Sequence, residues 1–461
     1  MKKIYSLLSL LFIAFTACED RLEDVRPRTA VSPEVVNSAG DIESLLIGAY
    51  DGAQSAGTDT DNIGATLYYL SALTEDLSAD NLRFRATFFQ HGEIDANAIL
   101  VSNVLVNRYY IGPYLTISRV NDILTLIEEI EESDFSSANR KNEIIGEVHY
   151  IRALSYFRLV SLFGGVPVVT TNTLEAVARD TEDRVWQQII DDLQVAIENA
   201  PDFAPTRNMF VSKDAARALR ARVALYREDY ALAVTLAEEV ISNTAFAIAT
   251  DSAEWRAIYD APVSSSEIIF QLVTTITEGQ SSHGFFLMDN INPFGTSGRL
   301  ELPVDESLVD AFEDGDFRAA GSFVPTTFRP GFFQAIKYPG GLNGDDNFII
   351  SRISEMYLTS AEAAAKRDDN PAAGIDRLND VRTNRGLTAL PTPADMDLFE
   401  DAILQERRVE LAFEGFRWAD LKRTDRAISV LPNVNDVNQL LYPIPQQARD
   451  RNPLLIQNDG Y

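Results

Sequence analysis

The chain has 461 residues, 46% of them hydrophobic, enough for one large core or two fused ones. Its 69 Asp and Glu against 40 Lys and Arg leave a formal charge of −29, which repels phosphates and anionic lipid and argues against a nucleic acid partner. One cysteine, Cys18, leaves no thiol for an internal disulfide, so the fold must stand on its core.

Met1-Lys2-Lys3 gives a positive start, and Ile4 to Ala17 is an apolar run short of the ~20 residues that span a bilayer. Thr16 and Ala17 place small residues before Cys18, although Phe15 is bulkier than the strict bacterial pattern. The layout predicts a lipoprotein signal peptide over 1–17, with Cys18 as the first mature residue carrying palmitate-type acyl chains on its sulfur and amino group. More than one chain anchors a protein durably to a membrane without spanning it. Residues 18–36 mix charge and proline with no helical period and read as a lipidated tether.

Helical periodicity then dominates. Ile117, Val120, Ile123, Leu124, Ile127 and Ile130 predict a helix over 117–131. Residues 143–163 predict another, stopped by Gly164-Gly165, and Trp186 to Ile197 a third, closed before Pro201. Ala215 to Arg227 and Tyr230 to Ser242 form a pair broken at Glu228-Asp229, with the small-residue spacing of tetratricopeptide hairpins. The stretch 244–350 alternates β-like runs such as Glu267 to Thr275 with Gly, Asn, Ser and Pro, and reads as loops and a small sheet. A second helix pair is predicted at 353–366 and 372–384, then one long helix from Leu398 to about Lys422. The expected fold is mainly α, with 37–243 as an N-terminal helical region and 244–461 as a C-terminal region holding the loops.

Glu406, Glu410 and Glu414 at i, i+4, i+8 line one face of that long helix, which invites comparison with a glycosidase pair. Arg407, Arg408 and Arg417 are interleaved with them and would lower their pKa, against the need of a general acid. An ion-paired structural cluster is therefore expected, and no catalytic residue is assigned. His91, His149 and His283 are far apart with no thiol beside them, so no metal is expected. Gly344-Asp345-Asp346-Asn347 lacks the spaced ligands of a calcium loop and reads as a solvated turn. No cofactor motif is present in a supporting context.

Several blocks carry a resemblance. They are Arg352 to Leu358 with Ala361-Glu362-Ala363; Leu378 to Arg382 with Gly386-Leu387; and Glu406 to Leu411 with Glu414-Gly415-Phe416-Arg417 and Asp420 to Arg423. The ending Pro443-Ile444-Pro445, Asn452-Pro453 and Gln457 to Tyr461 continues the series, and Arg119-Val120-Asn121, Arg152-Ala153 and Leu162 to Pro167 join it from the first half. Together they resemble the SusD/RagB family of outer-membrane lipoproteins, although Asn384-Arg385-Gly386 falls out of register with the family pattern. The resemblance implies a SusD-like helical scaffold on the outer face of the outer membrane. It also implies capture of a glycan, or of a peptide as in the RagB branch, by a hinged lid over a SusC-like TonB-dependent transporter, and a scaffold role for the motifs.

A sugar needs aromatic platforms beside Asn, Asp, Gln or Arg. Two stretches qualify where the family tends to place binding loops. One holds Asp80, Asn81, Arg83, Phe84 and Arg85, followed by Phe88-Phe89-Gln90; the other holds Phe285, Phe286, Asn290, Asn292 and Phe294. Trp186 and Trp418 read as core, leaving Trp255 as a possible platform.

Overall fold

A computed structural model describes residues 36–55, 69–260, 264–275, 283–290, 292–327 and 329–461; the signal segment 1–17, Cys18 and the tether up to residue 35 lie outside them. The chain enters through α1 (Ala39–Ser55), α2 (Tyr69–Ser78) and a short α3 (Phe89–Asp95). The helix expected at 117–131 starts far earlier, as α4 (Val104–Leu126), because Asn103 caps it by accepting from the Leu105 and Val106 amides and because Pro113 is accommodated inside it. Next come α5 (Arg140–Phe163), ended by Gly164 at φ +71°, and α6 (Glu182–Asn199), capped by Thr181.

The α5–α6 pair is clamped by charge and by close approach. Arg152 donates through Nε (2.9 Å) and Nη2 (2.7 Å) to Asp192. Burial alone would raise the Asp192 pKa, but Arg152 and His149 lower it. A Cβ added at Gly146 would lie 2.3 Å from the Ala200 backbone nitrogen. Although Ala is the better helix former, Gly146→Ala is expected to destabilise the fold by about 1–3 kcal/mol through overpacking. Urea unfolding measures this, and an unchanged midpoint would refute the close approach.

The predicted hairpin forms as α7 (Lys213–Tyr226) and α8 (Tyr230–Ile241), capped by Ser212 and Asp229, with Glu228 at φ +60° turning the chain between them. Ala224, Ala233 and Ala363 are buried together, so small side chains let these helices and α11 (Ile353–Asp368) pack closely, as in tetratricopeptide pairs. The loop-rich stretch contains α9 (Ser252–Asp260), β1 (Ile268–Leu272), α10 (His283–Leu287), β2 (Phe323–Pro325) and β3 (Phe333–Ala335). β1 pairs antiparallel with β4 (Phe348–Arg352), and β2 with β3. The chain continues through α11 (Ile353–Asp368) and α12 (Ile375–Asn384).

The single long helix expected from Leu398 to Lys422 is instead two. α13 (Met396–Glu410) ends, the chain turns with Phe413 at φ +67° and Gly415 at φ +80°, and α14 (Arg417–Arg423) follows. A Cβ at Gly415 would lie 2.9 Å from Ala72, so the turn is pressed against α2. Glu414 is therefore not on the helical face of Glu406 and Glu410. After α14 the chain ends through α15 (Gln446–Arg451). One contiguous apolar core runs from Ala39 to Leu455. Among the described residues no helix is long and apolar enough to cross a membrane.

Candidate functional site

The carboxylate cluster is closed to ligand. Glu406, Glu410 and Glu414 are 2%, 0% and 4% exposed. Their partners come mostly from other elements, not from the neighbouring arginines of α13. Arg318 bridges Glu406 (2.6 Å), Glu410 (2.7 Å) and Asp316; Arg385 bonds Glu410 and Glu267, each at 2.6 Å; and Arg352 and Lys337 hold Glu414 at 3.0 Å. Burial alone would raise the Glu410 carboxyl, but Arg385 and Arg352 hold it well below the usual carboxylate range; Glu414, also buried, is lowered by Arg352 and Lys337. Such groups are neither accessible nor tuned as acids.

Trp255, a possible platform by sequence, is fully buried and belongs to this cluster. Arg385, Lys337 and Arg352 lie over its ring at 4.7, 5.0 and 5.4 Å. Trp186 and Trp418 are buried, as read. Asp346 is not in a solvated turn: it is 5% exposed and accepts from the amides of Gly340 (2.6 Å) and Gly284 (3.2 Å), while burial pushes its pKa up to about 7.

The two aromatic stretches are brought together by a segment between them. The Arg83 and Arg85 amides donate to the carbonyls of Pro303 and Glu301, each at 3.0 Å; on the other side the Arg299 and Leu302 amides donate to Phe285 (2.8 Å) and Phe286 (3.1 Å). Residues 82–85, 299–304 and α10 thus form one layer. His91 pins it from below, edge-on between Phe88 (5.2 Å) and Phe286 (5.1 Å), with Nδ1 3.2 Å from Glu301.

Within this layer the expected residues divide by access. Asp80 is buried and bound by Arg417 (2.7 and 2.9 Å) and Arg408 (3.3 Å); Asn81 is fully buried, accepting from Arg408 (3.0 Å) and donating to Asp76 (2.5 Å). Phe286 is 7% exposed, and half-buried Phe84 rests on Gly92. Arg83 is engaged with Asp305 at 2.7 Å and Asp95 at 3.6 Å. Asn292 ties its own loop, donating to the carbonyls of Asp289 (3.0 Å) and Thr296 (2.5 Å). The open members are Arg85, Asn290 and Phe294, with Arg256 5.2 Å over the Phe294 ring, and half-buried Phe285.

Two further side chains are open, Phe89 from the first expected stretch and Arg299, which lies outside both. Phe89 begins α3 and is 63% exposed, the most exposed phenylalanine among the described residues. Arg299 has a half-exposed side chain, pairs with Glu301, and lies 5.9 Å over the Phe285 ring. The only sequence signal for Arg299 is a lone basic residue after the glycine-rich turn 295–298. An aromatic face with a guanidinium and an amide beside it suits a sugar ring and its hydroxyls. A cleft of about 350 Å³ also lies between α4 and the Pro167–Val177 loop; its surface is mostly apolar, with Asn172, Thr173, Glu175, Arg451 and Asn452 among the polar residues that line it.

Two family models match separate parts of the chain. One, described as the SusD family, covers residues 318–431; the other, described as starch-binding associating with outer membrane, covers residues 22–225. The chain belongs to the SusD/RagB family. SusD-like protein P2 of Formosa agariphila is 25% identical with the whole of both chains covered. A solved laminarin binding SusD-like protein shares the fold with a TM-score of 0.77 at 23% identity, over 92% of this chain and 100% of that one. Surface glycan-binding protein A from Bacteroides thetaiotaomicron, in complex with laminarihexaose, gives 0.77 at 21% identity, over 91% and 99%. The family motifs of this chain are built into its scaffold: Arg222 bonds Glu355 at 2.6 and 2.7 Å, Arg407 bonds Asp420 at 2.8 Å, and Arg152 bonds Asn121 at 2.9 Å.

Proposed function

We propose that this protein is a surface lipoprotein that captures a glycan on the layer formed by 82–90 and 283–304 and passes it to a SusC-like TonB-dependent transporter, acting as its lid. In this reading residues 1–17 direct export, acylated Cys18 and the tether to residue 36 hold the protein at the outer membrane facing outward, and the regions 37–243 and 244–461 form the body. The observation that carries the reading is the set of open or half-buried side chains on this layer, Phe89, Phe285 and Phe294 with Arg85, Arg299 and Asn290, of which Arg299 lies over the Phe285 ring. Arg83 and Asn292 hold that face in shape, while Asp80, Asn81, Phe84 and Phe286 support it from behind. Weak capture beside a pore raises local ligand concentration, and lid closure converts capture into delivery.

Calorimetry with a panel of neutral oligosaccharides tests the reading, beginning with laminarin-type glucans because solved relatives of this fold bind them. Phe89→Ala and Arg299→Ala are each expected to weaken binding by about tenfold, roughly 1.4 kcal/mol; Phe89→Ala leaves stability unchanged, whereas Arg299→Ala also takes the arginine partner from buried Glu301 and lowers stability. Binding of peptides and of no glycan would replace this reading with peptide uptake of the RagB kind. Failure of the acylated protein to co-purify with a barrel partner would remove the lid role.

A further inference from the structure

A separate cleft of about 240 Å³ opens where the ends of α5, α6 and α7 meet α14; it shares no lining residue with the loop layer. Lys422 reaches into it from α14. Its ammonium donates to the Ser161 carbonyl and stands 5.7 Å from the Trp418 ring, and among the described residues no carboxylate pairs with it. Its neighbour Arg423 is fully committed, to Glu362 and to Asp420 at 2.8 Å. Burial pulls the Lys422 pKa down to about 8, against the opposing pull of Glu75 and Glu182, so the group is still mainly cationic at neutral pH.

Ser161 supplies a second, independent observation. It lines the same cleft, is 8% exposed, and its hydroxyl has no hydrogen-bond partner. A buried hydroxyl left unmatched is costly. Around these two donors stand the rings of Trp186 and Tyr226 and the Arg227 guanidinium, which pairs with exposed Asp183 at 2.7 Å and lies 5.9 Å over the Trp186 ring. Glu182 accepts from Trp186 Nε1 at 3.0 Å and leaves an acceptor edge in the cleft for a ligand hydroxyl.

We propose that this cleft binds a small hydroxylated ligand carrying one carboxylate, the chemistry of a uronic acid, with the carboxylate on Lys422 and Ser161 and the ring between the aromatic walls. The cleft is slightly smaller than the ~300–1,000 Å³ of pockets for drug-sized ligands, which suits one sugar ring. A local cation and an unsatisfied hydroxyl select the carboxylate despite the acidic surface, because both act at contact distance where screening is weak.

Glucuronate is the probe, with glucose as the neutral control, titrated into the folded mature protein by calorimetry and ligand-observed NMR. Saturable glucuronate binding is expected, with Lys422→Met weakening it at least tenfold, Ser161→Ala several-fold, and Arg227→Gln to a smaller degree. Phe89→Ala and Arg299→Ala leave it unchanged, which separates this cleft from the loop-built site. Ser161→Ala and Arg227→Gln are mild changes, so the test survives if Lys422→Met fails to fold. Absence of saturable glucuronate binding, equal binding of glucose, or binding indifferent to both Lys422→Met and Ser161→Ala overturns the proposal.

Discussion

Glu410→Gln is expected to lower the unfolding free energy by about 3–5 kcal/mol, the cost of leaving a buried ion partner uncompensated. Glu410 is fully buried and bonds Arg318, Arg352 and Arg385 together, so removing its charge strands guanidinium groups that water cannot reach. Chemical denaturation followed by circular dichroism measures the loss, and a loss under about 1 kcal/mol, the scale of an exposed pair, would contradict it. Acid should act on the same carboxylate. Its folded-state pKa lies below the unfolded value of about 4.3, so its contribution is complete above that pH and is lost as pH falls toward the folded value. The wild type should therefore lose stability on acidification below about pH 4.3, and Glu410→Gln should lose less over the same range.

Asp80→Ala is expected to cost about 3 kcal/mol of stability and to leave glycan affinity of the folded protein unchanged. Its carboxylate is held below the usual range by the Arg417 bonds and by Arg408, although burial alone would raise it. Both oxygens face arginines of the C-terminal motifs and not the open face. Phe89→Ala should do the opposite, keeping stability and losing ligand. A crossed outcome, with Asp80→Ala stable and deficient in binding, would move the site inward and undo the division between open and supporting residues. Asp80→Asn, which keeps the shape and removes the charge, provides the same reading if the alanine variant does not accumulate.

Much of the scaffold was legible because helix signals are local. The α7–α8 pair, its break at Glu228, and the end of α5 at Gly164 follow from spacing and from residues that stop helices. The first half of α4 was hidden by Pro113, which normally argues against a helix interior. The break after Glu410 was hidden for the opposite reason: the sequence stays apolar and charged in a helical rhythm, and only the left-handed backbone at Phe413 and the contact of Gly415 with Ala72 end it. Trp255 was misplaced because the cations that cover it come from positions 337, 352 and 385, distant in sequence. The aromatic stretches were legible by composition, but not which of their side chains face outward. That depends on segment 299–304 pairing with both, and on arginines at 408 and 417 taking up Asp80 and Asn81.

The reach of Arg408 and Arg417 back to Asp80 and Asn81, and of Tyr442 to the Leu162 carbonyl at 2.7 Å, has a consequence for biogenesis. The two arginines lie 327 and 337 residues from these buried partners in the chain. A nascent chain with such long-range pairing cannot complete its interior part-way, since loop closure must precede the contacts that reward it. This part of the interior therefore closes only after α13 and α14, which carry Arg408 and Arg417, have been made.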